Sequence, residues 1–449
     1  MRLMDALRRL TRLMRHWGFR RLVWTRLLSQ GGDAAVQVGM AAFILFSPQT
    51  QPDAWSIAAM VTLVMAPFAL VGPFVGPILD RYSRRGIVVA CDILRAVLGL
   101  LTAGVVVGGN VSGPWQPLLY GLLLVVLGLN RLQLAALGAG MPFTVDDDEY
   151  LEAAAIMPMI GPVAAMAGGL LAAGVRLASG QLTQAGWTDG LVIVAAAVLF
   201  AGSVSMAMGF GPRQLGPAQG QPRTEWRQVW TSTSVGVREL WVHRPAFIGV
   251  TMVFGARVGY GVLMTLVILM YRHHFGLGRP LDAVMLEMGV WFLVSGLGFA
   301  LSGLVATPTS ERIGVRNTLL AAFVVAALVQ LAPGGLLSSP ALLVTGFVLG
   351  LCLQTVKICG DTLVQAHIAD RVRGRVLVVY DIVNNLGFAV GSVAGAVVLP
   401  PDGRSLLVVI GLSAWFGLLA MAFGVLSRSE AASYDRGTVL APDLDHGLA

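Results

Sequence analysis

Charge is what this chain most lacks. Only 12% of its 449 residues are acidic or basic, against 56% hydrophobic, and Lys357 is the single lysine among 31 basic residues. That balance excludes a soluble domain, because a water-facing surface has to be built from polar groups. Cysteine is also scarce. Cys91, Cys352 and Cys359 fall inside apolar runs as small apolar residues, and their spacing excludes a disulfide framework or a thiolate metal site. No Gly-x-x-x-x-Gly-Lys loop occurs, which excludes ATP as the direct energy source, and no nucleophile and base are arranged as an enzyme would need. No cofactor or metal is implied. His273 and His274, adjacent in an outer loop, read as a solvated pair.

Long apolar runs fill the space that charge leaves. Twelve of them, each long enough to cross roughly 30 Å of hydrocarbon, cover 22–46, 54–79, 86–108, 115–141, 154–178, 187–210, 246–270, 285–306, 315–332, 340–366, 374–399 and 405–427. The formal charge of +7 is explained by where the arginines lie. With the N-terminus inside, the inner segments hold nearly all of them, and the outer loops hold little beyond Arg272, Arg279 and Arg404. Both termini are therefore expected in the cytoplasm, and nucleic acid is not an expected partner. The first apolar run is too long for a signal peptide and lacks a small-residue cleavage site, so it is expected to remain as a span. Arginine-dominated basicity with abundant Ala, Gly and Val suggests GC-rich coding and a multi-pass protein of a bacterial cytoplasmic membrane.

The expected organisation is a cytoplasmic amphipathic segment (1–21), a six-helix bundle (22–210), a cytoplasmic linker with an interfacial helix (211–245), a second six-helix bundle (246–427) and a cytoplasmic tail (428–449). In the first segment Leu3, Leu7, Leu10, Met14 and Trp17 recur at helical spacing among arginines. Two readings are open there: a helix on the anionic inner leaflet, or a basic topogenic tail. In the linker, Trp226, Trp230, Val237 and Trp241 share a face after the Gly211–Pro222 stretch. The halves read as degenerate copies. Basic inner loops recur at Gly76–Arg85 and Gly303–Arg316, and Gly168, Gly169 and Gly174 in span five match Gly391 and Gly395 in span eleven, where close helix packing is expected. The fold class is an all-α polytopic membrane protein with twelve transmembrane helices in two pseudo-symmetric bundles.

Between spans two and three the sequence runs Gly76-Pro77-Ile78-Leu79-Asp80-Arg81-Tyr82-Ser83-Arg84-Arg85. Gly76 is expected to permit a close helix contact, Asp80 to accept hydrogen bonds at a helix end, and the arginines to pair with carboxylates across the interface of the halves. The second copy departs from this pattern, with Thr307 where Asp80 would be. Glycine, three residues, Asp-Arg, two residues and two basic residues resemble the hallmark loop of the major facilitator superfamily. That resemblance implies two six-span halves, alternating access, and Gly76, Asp80, Arg81, Arg84 and Arg85 as a conformational latch. The bland alternative is that these arginines only enforce topology. Asp92 with Arg95 in span three, and Arg373-Gly374-Arg375-Val376, look like the macrolide-efflux and siderophore-exporter branch. Gly161-Pro162 with Gly168-Gly169 resembles the antiporter motif only at too long a spacing.

Ionisable residues deep in a membrane mark a pathway or a buried pair. Here they are Asp33, Arg131, Arg257, Lys357 and Asp361, in spans one, four, seven and ten, which the resemblance implies line the cavity. Gln37, Tyr260, Asn130 and Gln133 lie at similar depth, as substrate contacts or as helix-to-helix hydrogen bonds. Lys357 and Asp361, at i,i+4, are expected to meet, as are Asp92 and Arg95 at i,i+3. Asp33 is expected either to favour its protonated form through burial or to pair with Arg131 or Arg257, and Asp33 or Asp361 is the expected carrier of the coupling proton. An acidic loop in one half (Asp146, Asp147, Asp148, Glu149, Glu152) and a basic one in the other (Arg371, Arg373, Arg375, then Asp381) form ion pairs across a gate or are solvated surface.

The function expected from this pattern is proton-coupled export of a small amphipathic molecule by a monomer, with protons and membrane lipids as partners and the proton gradient as energy source. An uptake symporter and a lipid or lysolipid flippase are the rivals, and three basic groups favour an anionic or zwitterionic cargo. A transporter-like receptor would instead carry a large soluble domain or long tail, where this sequence has a short segment from Ser429 to Ala449.

Overall fold

A computed structural model describes residues 11–46, 54–108, 115–146, 149–179, 185–216, 228–428 and 434. The first residues of the N-terminal segment, Asp147 and Asp148 of the acidic loop, and residues 217–227 of the linker, with Trp226, lie outside them. Among the described residues the chain is helical and contains no strand. The helices are α1 (Trp17–Phe46), α2 (Ala54–Val71), α3 (Val75–Arg81), α4 (Arg84–Val107), α5 (Trp115–Gly140), α6 (Tyr150–Ser179), α7 (Ala185–Met208), α8 (Gln228–Val242), α9 (Arg244–Leu269), α10 (Leu281–Leu331), α11 (Ser339–His367), α12 (Asp370–Val398) and α13 (Leu406–Leu426). Nine described helices are long and apolar enough to cross a membrane, counting Ala283–Leu336 once. Their outward faces carry Leu100, Leu170, Val198, Leu304 and Met421, all exposed, as a surface solvated by hydrocarbon requires.

Local chemistry sets where these helices start and break. Ser83 is extended, and its hydroxyl accepts from the Gly86 amide at 3.0 Å, which caps α4 directly after the signature turn. The 3-10 turn Gly72–Phe74, with Pro73 in it, divides the second predicted span into α2 and α3, while Pro67 lies inside α2. The loop expected between spans eight and nine is instead helical. The chain runs as helix from Leu281 and turns only at Gly314, whose φ of 84° is open to glycine at little cost. Thr307 and Glu311 thus lie on a helix.

The helices fall into two compact units: residues 1–51 with 70–229, and residues 52–69 with 230–449. In the first unit α1 packs on α6 and α7, and α4 on α5 and α7; in the second α9 packs on α12 and α11, and α10 on α11 and α13. The two repeat each other at the level of single residues. A Cβ on Gly168 of α6 would collide with the Gly31 carbonyl of α1, and one on Gly391 of α12 with the Val258 carbonyl of α9. One residue on, a Cβ on Gly32 would lie 2.6 Å from the Phe200 ring, and one on Gly259 2.6 Å from the Phe416 ring. Backbones approach this closely only where a side chain is missing. Gly395 lies against Thr265, while Gly76, Gly169 and Gly174 face open space, so the close packing expected of them is absent among the described residues. Gly168→Val is expected to destabilise the purified protein by about 1–3 kcal/mol or more, seen as a lower melting temperature and loss of monodispersity. Gly76→Ala and Gly169→Ala should be neutral or slightly stabilising. A Gly168→Val protein as stable as the wild type would contradict the crossing.

Candidate functional site

The Gly31/Gly168 and Gly32/Phe200 contacts bring α1 close enough to its neighbours to hold a fully buried polar cluster. Asp33 ion-pairs with Arg95 of α4. Arg95 Nη1 also reaches Asp92 Oδ1 at 2.7 Å and donates to Ser29 Oγ at 2.7 Å, and its guanidinium lies 4.1 Å from the centroid of the Phe200 ring. Asp92 accepts further from Ser29 at 3.0 Å, Ser203 at 2.6 Å and Gln133 at 3.5 Å. Ser29, Asp92, Arg95, Gln133 and Ser203 have no exposed surface, and Asp33 is 3% exposed. Gln30, on the same face of α1 as Asp33, donates to Asp33 Oδ2 at 3.3 Å and Asn130 Oδ1 at 2.9 Å.

Two carboxylates thus share one guanidinium where no water reaches. Buried ion pairs repay their desolvation only when geometry and supporting hydrogen bonds are nearly complete. Asp92 meets that condition with four donors from α1, α4, α5 and α7, whereas Asp33 has Arg95 and the amide of Gln30. The base that Asp33 meets is Arg95, and neither Arg131 nor Arg257 is its partner among the described contacts. The reason is the tight α1 packing, which turns Asp33 toward α4. Arg131 is half-buried on α5 with interactions of its own, and Gln37 is half-buried one turn beyond Asp33.

The second unit holds a different set. Arg257 Nε donates to Asn384 Oδ1 at 2.9 Å, and its guanidinium lies 5.5 Å from the Phe299 ring. Tyr260 is buried between Phe299 and Phe388, with its hydroxyl 3.1 Å from Ser295 Oγ. Lys357 Nζ meets the two Asp361 oxygens at 3.2 and 3.0 Å and lies 5.1 Å from the Tyr380 ring. The i,i+4 pair forms as expected, 22% and 30% exposed.

The signature residues act on backbone carbonyls. Arg84 Nη1 donates to Ala139 O at 2.7 Å and Leu215 O at 3.2 Å, and Arg85 Nη2 to Met208 O at 3.1 Å. Ala139 and Met208 carry orphan carbonyls in the last turns of α5 and α7, where the helix dipole also favours a cation, and Leu215 lies in the turn that follows α7. Within their own unit, Arg84 and Arg85 thus hold backbone carbonyls. Arg316 does the same in the second unit, donating to Ser427 Oγ at 2.8 Å and Gly424 O at 3.2 Å at the end of α13. Arg81 is exposed, and Asp80 is half-buried with partners of its own. Arg373 caps α11 through Gln365 O at 3.0 Å and Ile368 O at 3.2 Å, Arg375 is exposed, and Asp381 lends its carbonyl to Asn385 at 2.7 Å. Of the acidic loop, Glu149 sits 2.6 Å from His16 Nε2 in its own unit.

Ser29, Gln30, Ser203, Phe200, Asn384 and Tyr380 were missed in the sequence. Ser29 and Gln30 could have been found as the polar residues one turn before Asp33; Ser203, one small polar residue among apolar ones, gives no signal.

Buried charges on glycine-packed spanning helices define a polytopic membrane protein. The major facilitator superfamily model matches residues 252–439. An uncharacterised MFS-type transporter of Mycobacterium tuberculosis is 32% identical over 412 residues, 87% of each chain, and one of Mycobacterium bovis matches equally. The chain belongs to the major facilitator superfamily, a family of transporters and not of enzymes. A lysophospholipid transporter of Cronobacter sakazakii is 26% identical over 56% of this chain and 57% of its own. Among solved structures, the nucleoside transporter NupG superposes with a TM-score of 0.65 at 14% identity, over 92% of this chain and 99% of that one. A bacterial homologue of the iron transporter ferroportin gives 0.65 at 17% identity, over 92% and 98%. At these identities the likeness is one of fold alone.

Arg95→Leu leaves two buried acids without a base and is expected to cost about 3–5 kcal/mol, read from melting of the purified protein. Adding Asp33→Asn and Asp92→Asn should recover a substantial part. A triple variant no better than Arg95→Leu would mean that Arg95 acts by packing alone.

Proposed function

We propose that this transporter exports a small amphipathic molecule by alternating access, driven by protons taken up at the Asp33–Arg95–Asp92 cluster. The observation that carries this reading is the count of charges: two carboxylates and one guanidinium, sealed from water, hold one acid more than base. A proton on one carboxyl makes the cluster neutral in sum, and its loss leaves a buried charge that only a change of conformation can relieve. Asp33 is the better candidate for that proton, since fewer donors hold it than hold Asp92. Lys357 with Asp361 and Arg257 with Tyr260 are assigned to the substrate pathway, and the Gly76–Arg85 loop to the latch, with Arg84 and Arg85 setting helix ends that a conformational change would disturb. Arg131, Gln37, Arg373, Arg375 and Asp381 are assigned supporting roles. Within the same reading the chain is a monomer of a bacterial cytoplasmic membrane with both termini inside.

A second reading is favoured by one observation, the likeness to a lysophospholipid transporter. In that reading the amphipath is a lysolipid, moved between leaflets. Both readings need a cargo that tolerates the basic groups Arg257 and Lys357.

In proteoliposomes with an imposed pH gradient, Asp33→Asn is expected to abolish gradient-driven substrate accumulation while gradient-free exchange persists. Coupling undiminished in Asp33→Asn would remove Asp33 from the mechanism. A flippase would show transport of a lysolipid probe that a protonophore leaves unchanged.

A further inference from the structure

The α1 face that bears Gln30 and Asp33 continues one turn toward the start of the helix to Arg26. Arg26 is half-buried, and among the described residues it makes no ion pair or hydrogen bond; its Nε is sealed from solvent without an acceptor. The other bases within these spans behave differently: Arg95 has two carboxylates, Arg257 has Asn384 and Lys357 has Asp361. A guanidinium without an acceptor is costly in a spanning helix and is retained there for a use. The backbone beside it carries no side chain. Beside Arg26 runs α6 at Gly161, where a Cβ would meet only Arg26 Nη2 at 3.6 Å and Gln30 Oε1 at 4.0 Å among the described residues. The helix backbone is bare at that point, and the Gln30 amide, held by Asn130, flanks it.

We propose that Arg26 recognises an oxyanion, carboxylate or phosphate, on the polar head of the transported amphipath, docked between α1 and α6 over Gly161. This rests on the transport reading and narrows its cargo to an anionic or zwitterionic amphipath. The planar guanidinium fork matches both oxyanions in a bidentate manner, whereas a lysine would offer a point charge. Without a side chain at position 161, a head group can lie flat against α6.

The test is equilibrium binding to the full chain in phosphatidylcholine nanodiscs, with hexyl phosphate, hexanoate and hexyltrimethylammonium as probes. The wild type is expected to bind both anions, Arg26→Gln to weaken both by about tenfold or more, and Arg26→Lys to fall between. Binding of the cation should not change. Gly161→Leu, which fills the space and removes no charge, should also weaken the anions. Competition by added phosphatidylglycerol assigns the oxyanion to a lipid head group, and its absence assigns it to a freely diffusing substrate. Anion binding unchanged in Arg26→Gln overturns the proposal, as does a wild type that binds neither anion. Neither result touches proton coupling, which is read by transport under a gradient.

Discussion

One guanidinium without exposed surface, that of Arg95, determines what the first unit can be. It ties α4 to α1 through Asp33 and Ser29, and through Asp92 the tie extends to α5 and α7. Burying three ionisable groups together is costly unless most of their donors and acceptors are met at good geometry. That requirement explains the packing around the cluster. Gly168 lacks a side chain because the Gly31 backbone occupies that space, Gly32 lacks one because the Phe200 ring does, and Phe200 in turn covers the guanidinium face. Loss of either contact would let α1 move away and strand the acids.

The two units share this scaffold but not its chemistry. Gly168 on Gly31 is repeated as Gly391 on Val258, Gly32 on Phe200 as Gly259 on Phe416, and the capping role of Arg85 as that of Arg316. Yet where α4 buries Asp92 and Arg95, the helix after Arg316 buries Phe323 and Ala326 at the corresponding spacing. The fold needs the glycines and the caps in both units; it does not need the charges, since the second unit packs without them. Among the described residues a fully buried acid–base cluster occurs in the first unit alone, which supports the proposal that its charges serve transport.

Much of the fold was legible in the sequence because hydrocarbon imposes it: long apolar runs can only be helices, and glycine motifs mark where helices cross. The i,i+3 pair Asp92/Arg95 and the i,i+4 pair Lys357/Asp361 were legible for the same local reason. Asp33 was found as a buried acid, but its partner was not, because pairing between helices depends on how α1 rotates against α6, and one glycine contact decides that. The signature arginines were read as charges seeking charges. Their carbonyl partners at the ends of α5 and α7 become visible only when those ends come together in space. Arg26 was overlooked as one more arginine near a helix end, and only its lack of an acceptor sets it apart.

The central claim is that the cluster carries an exchangeable proton, and infrared difference spectroscopy of the purified protein tests it most directly, since a protonated carboxyl has a C=O stretch that a carboxylate lacks. The account predicts one buried carboxyl band that disappears as pH is raised and is missing from Asp33→Asn. A spectrum with no such band at any pH at which the protein stays folded would mean that both acids remain ionised and that the cluster is static.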